Sequence, residues 1–147
     1  MPDILDNVKD SILLFHTGQN RKSGKIQEGF KKLSDDQLYY LDSLKKLTRM
    51  ALRGLPVCDP RTFGELLNWG WLFKKESNKG VSTREIDELF SKAKVLGSLG
   101  AKILGSGGGG YCIFVVEPKN QKEFIKKIGL KHIPYRIDYK GLNISVK

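Results

Sequence analysis

Apolar and polar positions change period several times along the chain, and each change marks an element. "SILLFHTG" (Ser11–Gly18) is a short unbroken apolar run closed by glycine, the pattern of a strand buried on both faces. In "QNRKSGKIQEGFKKL", Ile26, Phe30 and Leu33 form one helical stripe, weakened by Gly24 and Gly29. Ser34-Asp35-Asp36-Gln37 has the form of a capping box; Leu38, Leu41, Leu44, Leu47 or Thr48, and Ala51 or Leu52 then hold a helical period to Gly54. Asp59-Pro60 starts another helix, with Phe63, Leu66, Leu67, Trp71 and Lys74 along one side. Ser82-Thr83-Arg84-Glu85 reads as a second capping box, ahead of Ile86, Leu89, Phe90, Ala93 and Leu96 or Gly97. The period then shortens. "AKIL" and "YCIFVV" read as strands, and Pro118 opens a helix carrying Phe124, Ile125 and Ile128 and closed by Gly129. "HIPYRIDY" and "LNISV" read as two last strands around a Lys140-Gly141 turn, with Pro134 placing the first at an edge or bulge. No repeat, low-complexity tract or linker interrupts this order, so residues 1–147 read as a single domain.

The two middle strands enclose Gly105-Ser106-Gly107-Gly108-Gly109-Gly110, five glycines in six positions. The spacing Gly105-x-Gly107-x-x-Gly110 spells the dinucleotide-binding fingerprint, but that motif needs a helix after the glycines, and here a strand follows. A P-loop fails as well, because no Lys-Ser or Lys-Thr pair closes the loop. A plain hairpin needs only one or two glycines. Each further glycine costs folding entropy, so either a neighbouring segment or a ligand presses on this backbone. Amides turned one way in such a loop attract an anion without side-chain charge. Local physics leaves both readings open.

Composition narrows the class. The chain has 147 residues, 39% apolar and 29% charged, which suits a soluble globular domain. No apolar run reaches the ~18 residues of a membrane span, and "MPDILDNVKD" lacks the pattern of a signal peptide. Cys58 and Cys112, the only two cysteines, form no disulfide framework or metal quartet, which points to a reducing cytoplasm. The net charge of +10 admits phosphorylated ligands or nucleic acid, although the lysines come as scattered pairs, the habit of solvated helix faces. An RNA-binding sheet would need aromatics together on one face, and Tyr111 and Phe114 fall on opposite faces. His16 and His132 have no ligand-spaced partners and read as structural. Trp69 and Trp71 are two apart, so only one of them faces the core. No general base stands within a catalytic set, and no metal site is expected.

"GAKILGSGGGGYCIFVV" resembles the third conserved motif of the GHMP kinases, the superfamily of galactokinase, homoserine kinase, mevalonate kinase and phosphomevalonate kinase. "LLFHTGQNRKSGKI", "FGELLNWGWLFKK" and "STREIDELFSKAKVLGSLGAKILGSGGGG" are similar, in order and spacing, to its heptose phosphate kinase and fucokinase branch. The likeness runs over residues 4–146. Ser106 stands for the usual Ala and Tyr111 for the usual Phe, and "NWGW" replaces a more polar segment.

The resemblance implies an α+β fold: a ferredoxin-like antiparallel sheet with helices on one face and extra helices inserted between its first two strands. It implies the C-terminal half of a sugar or sugar-phosphate kinase, forming one wall of the nucleotide and substrate cleft. The loop Gly105, Ser106, Gly107, Gly108, Gly109 and Gly110 would lie near the nucleotide phosphates, with Arg21, Lys22 and Lys75 as substrate-side candidates. The family's N-terminal half, with its phosphate loop and catalytic carboxylate and lysine, is not in this sequence. ATP and Mg²⁺ are therefore expected only with the complete kinase, whose N-terminal half is the expected partner. The isolated chain is expected to be inactive and to self-associate through the surface left uncovered. No membrane or nucleic-acid partner is expected. A non-catalytic module binding a sugar phosphate or RNA is the alternative.

Overall fold

The computed structural model describes residues 5–19 and 32–139. The stripe at Ile26 and Phe30, Arg21 and Lys22, and the "LNISV" strand lie outside the described residues.

Strand β1 (Ile12–His16) is followed by helices α1 (Asp35–Gly54), α2 (Pro60–Ser77) and α3 (Arg84–Val95). Strands β2 (Gly100–Ile103) and β3 (Tyr111–Val115) flank the glycine loop, and α4 (Pro118–Ile128) leads to a two-residue β4 (Lys131–His132). The sheet order is β2-β3-β1-β4, and every neighbouring pair is antiparallel. That is the ferredoxin-like order, with the inserted helices between β1 and β2.

Local chemistry sets the helix ends. Ser34 Oγ accepts from the Gln37 amide while the Gln37 side chain accepts from the Ser34 amide, a complete capping box. Asp59 accepts from the Thr62 amide with Pro60 at the first helical position. Gly129 ends α4 at φ +80, a backbone that suits glycine. The second box is corrected: Thr83, not Ser82, caps α3 by accepting from the Ile86 amide, and the Ser82 hydroxyl goes to Asp87 instead. The last-strand expectation is also corrected. Only Lys131 and His132 pair with β1, and the segment 133–138 carries no strand. Pro134 lacks the amide hydrogen that a continuing ladder would use.

The sheet's inner face supplies Leu13, Phe15, Ala101, Ile103, Cys112 and Phe114, which meet Trp71, Ile86, Ala93, Phe124 and Ile128 from the helices in one cluster. Phe15, Phe114 and Phe124 are fully buried and touch pairwise at ring separations of 5.6, 6.0 and 5.4 Å. Each such burial contributes ~1.5–3 kcal/mol. Trp71 is the core tryptophan; Trp69 is exposed and lies against Phe73.

Helix α2 also runs along the free edge of β2. The Asn68 amide donates to Leu99 O at 3.0 Å and accepts from the Ala101 amide at 3.1 Å, so one side chain stands in for a neighbouring strand. Two glycines permit the approach. A Cβ on Gly100 would lie 2.2 Å from Gly64 O, and one on Gly64 would lie 2.7 Å from the Leu99 backbone.

Candidate functional site: the glycine loop and its supports

All five loop glycines have positive φ: +71 at Gly105, +110 at Gly107, +74 at Gly108, +137 at Gly109 and +84 at Gly110. Side chains rarely adopt such angles, and this accounts for the composition. The loop is held from two sides by its own chain. The Gly108 amide donates to Val81 O at 2.6 Å, in the α2–α3 connection, and the Gly110 amide donates to Gln19 O at 2.8 Å, beyond β1. Added Cβ atoms on Gly107 and Gly109 would lie 2.7 Å from those same two carbonyl oxygens. Gly110 O in turn accepts from both the amide and the hydroxyl of Thr17. Neighbouring segments of this chain therefore do press on the loop.

A third support comes from α2. The Lys74 ammonium donates to Gly105 O, where the loop begins. Burial, and after it the charge of Lys102, pull Lys74 below the ordinary lysine value. Among the described residues neither Lys74 nor Lys102 has a carboxylate partner. The amides of Ser106 and Gly109 are likewise left without a partner among the described residues, although Gly109 is buried. Donors and positive charge are thus concentrated here, a combination that favours an anion.

Of the residues expected at the site, the six of the loop stand together. Lys75, one position beyond Lys74, points elsewhere. It pairs with Asp87 at 3.4 Å on the wall of a cleft of about 490 Å³ between α2 and α3, floored by Trp71 and Phe90. Lys74 is the site residue that the sequence reading did not assign. A lysine on the apolar stripe of α2, three positions after the core Trp71, was the available signal for Lys74. His16 lies against Tyr111, ring centroids 5.0 Å apart, and its Nδ1 accepts from the Gly18 amide. On β3 only Tyr111 is an exposed aromatic, because Phe114 is fully buried, so the strand offers no pair of stacking rings.

Comparison with known proteins agrees with this geometry. Residues 51–132 match the family described as GHMP kinases C terminal. The mevalonate kinase of Pyrococcus horikoshii is 40% identical over 150 residues, covering 99% of this chain and 35% of that protein. The bifunctional fucokinase/GDP-fucose pyrophosphorylase of Arabidopsis thaliana is 25% identical over 150 residues, covering 99% of this chain and 14% of its own length. The crystal structure of Methanococcus jannaschii mevalonate kinase superposes with a TM-score of 0.72 at 20% identity, covering 90% of this chain and 41% of that one. This chain thus spans a third or less of the length of most of the curated relatives that it matches. With the family match covering more than half of its residues, the chain belongs to the C-terminal domain family of the GHMP kinases.

Proposed function

We propose that the chain is the C-terminal half of an ATP-dependent sugar or sugar-phosphate kinase, similar to the heptose phosphate kinases, and forms one wall of the cleft where phosphoryl transfer occurs. One observation carries this reading: a positive-φ glycine loop, pinned by backbone on two sides, lies against the Lys74 ammonium, which has no carboxylate partner among the described residues. Phosphoryl transfer needs positioning and preorganised positive charge more than covalent chemistry, and a rigid loop of amide donors serves that need. Leu104 and Tyr111 flank the loop and are exposed, as suits a wall that a second segment covers; in the isolated chain the same surface favours self-association. The described residues do not fit a divalent-cation site. Among the described residues His, Cys, Asp and Glu form no group of three or more that could hold an ion. In this reading the N-terminal half supplies the Mg²⁺ ligands, the phosphate loop and the catalytic base.

The 40% identity to a mevalonate kinase along 99% of the chain favours a second acceptor class, a small hydroxy acid. The test joins the chain to the N-terminal half of a family kinase and assays ATP turnover with heptose phosphates, free sugars and mevalonate. The complete enzyme turns over and the chain alone does not. The best acceptor decides between the two classes. Turnover by the pure chain alone, or none by a folded complete enzyme with any acceptor, overturns the reading.

A further inference from the structure

We propose that the cleft between α2 and α3 is a second binding site, apart from the glycine loop, for a small planar aromatic carboxylate. The inference stands on that cleft alone and does not depend on the reading of the loop.

The cleft has a volume of about 490 Å³, inside the ~300–1,000 Å³ range of small-molecule sites. It adjoins Gly100 and Ala101, where β2 begins, whereas the glycine loop starts after β2 ends at Ile103. Trp71 of α2 and Phe90 of α3 meet edge to face beneath it, with ring centroids 5.5 Å apart and planes at 60°. Rings set at that angle offer a face and an edge to the space beside them, a seat for a flat apolar body, and the exposed Leu72 extends it. Polar groups give the seat a direction. Trp71 is only 7% exposed, and its indole N–H has no hydrogen-bond partner among the described residues. No fully buried side-chain nitrogen among them goes unpaired, so this N–H reaches open space, and the open space beside Trp71 is the cleft that it lines. An indole nitrogen only donates, so its partner is an acceptor. Charge points the same way. Lys75, Lys94 and Asp87 line the cleft, and two ammonium groups less one carboxylate leave a single positive charge, which matches a monoanion. Asp87 Oδ1 already receives Lys75 at 3.4 Å and the Ser82 hydroxyl at 2.9 Å. Lys94 has no carboxylate partner among the described residues and stands one turn beyond Phe90 on α3, over the same face. The matching ligand lays an aromatic ring on Trp71 and Phe90 and turns its carboxylate to the indole N–H and the Lys94 ammonium.

The experiment titrates the full chain, labelled with ¹⁵N, with three probes at constant ionic strength: naphthalene-2-carboxylate, its neutral analogue naphthalene-2-carboxamide, and cyclohexanecarboxylate, which keeps the charge and loses the flat ring. The two indole N–H signals are told apart by Trp69→Phe, a change at an exposed side chain. The expected result is a saturable shift of the Trp71 indole below ~10 mM naphthalene-2-carboxylate, while the Trp69 indole stays still. The carboxamide and the cyclohexane acid bind about fivefold more weakly or worse, one for lack of charge and the other for lack of a ring to stack. Lys94→Met weakens the naphthalene acid about fivefold and Lys94→Arg recovers it. Lys126→Met, at an exposed lysine of α4, leaves affinity unchanged. The proposal is overturned if the Trp71 indole of the folded wild type does not move saturably, or if both indoles move alike. It is equally overturned if either comparison probe binds as tightly as the naphthalene acid, or if folded Lys94→Met binds that acid as the wild type does. None of these outcomes bears on the glycine loop, which the kinase assay tests separately.

Discussion

Replacing Gly100 with alanine tests whether the edge contact between α2 and β2 holds the site in shape. The new Cβ would lie 2.2 Å from Gly64 O, 2.5 Å from Gly64 Cα and 2.6 Å from Gly64 C, all of them helix backbone with no rotamer to move aside. Ordinary contact begins at 3.4 Å, so α2 must retreat by more than an ångström. The two Asn68 bonds to β2, now 3.0 and 3.1 Å, would stretch beyond hydrogen-bonding range. Two lost bonds cost ~1 kcal/mol each, and overpacking adds ~1–3 kcal/mol. The expected loss is therefore ~3–5 kcal/mol, or about 10 °C or more in Tm for a domain of this size. Gly70→Ala is the control on the same helix. Its Cβ would rest 3.6 Å from Leu47 Cδ2, an ordinary contact, so alanine should stabilise the helix by ~0.5–1 kcal/mol. Urea unfolding followed by far-UV circular dichroism measures both. A loss under ~1 kcal/mol for Gly100→Ala would refute the reasoning. The displacement also reaches the site, because α2 carries Lys74 away from Gly105.

Within the loop, Gly109→Ala meets the Gln19 backbone at 2.7 Å with φ at +137, whereas Gly105→Ala meets nothing within 4 Å at φ +71. Gly109→Ala is expected to lower stability by ~2–4 kcal/mol more than Gly105→Ala, and equal losses on urea unfolding would show that Gln19 does not press on the loop. Cys112 is fully buried, and burial pushes its thiol up to about 12, so iodoacetamide at pH 8 should leave it unmodified until the chain unfolds. The same shift fixes a pH dependence. Its folded pKa lies above the ordinary thiol value of 9.0, so the stabilising contribution is whole below pH 9 and is lost as pH rises toward 12. Cys112→Ala should flatten that decline, and an unchanged slope between pH 9 and 11 would count against it.

What the sequence determined by itself is local. Ser34 and Asp59 cap their helices because a short polar side chain reaches the amide three residues on, and Gly129 ends a helix because it alone tolerates the left-handed turn. Short apolar runs placed the strands, but the expectation that β1 is buried on both faces is corrected: Leu13 and Phe15 are buried while Ile12, Leu14 and His16 are half-buried, because a pleat alternates faces and the helices cover only one of them. Such signals act over a few positions, which is also why they failed by one residue at Thr83, where Ser82 offered an equivalent hydroxyl. The glycine run announced that something came close, yet local rules could not say what. Only the tertiary structure decided that Val81 and Gln19 lie against Gly107 and Gly109, that Gly64 meets Gly100, and that Lys74 rather than Lys75 faces the loop. The physical reason is that these contacts join residues far apart in the chain. Their identity depends on how α2 is rotated and slid against the edge of β2, and that docking is set by packing and by the Asn68 bonds rather than by the propensity of any one segment.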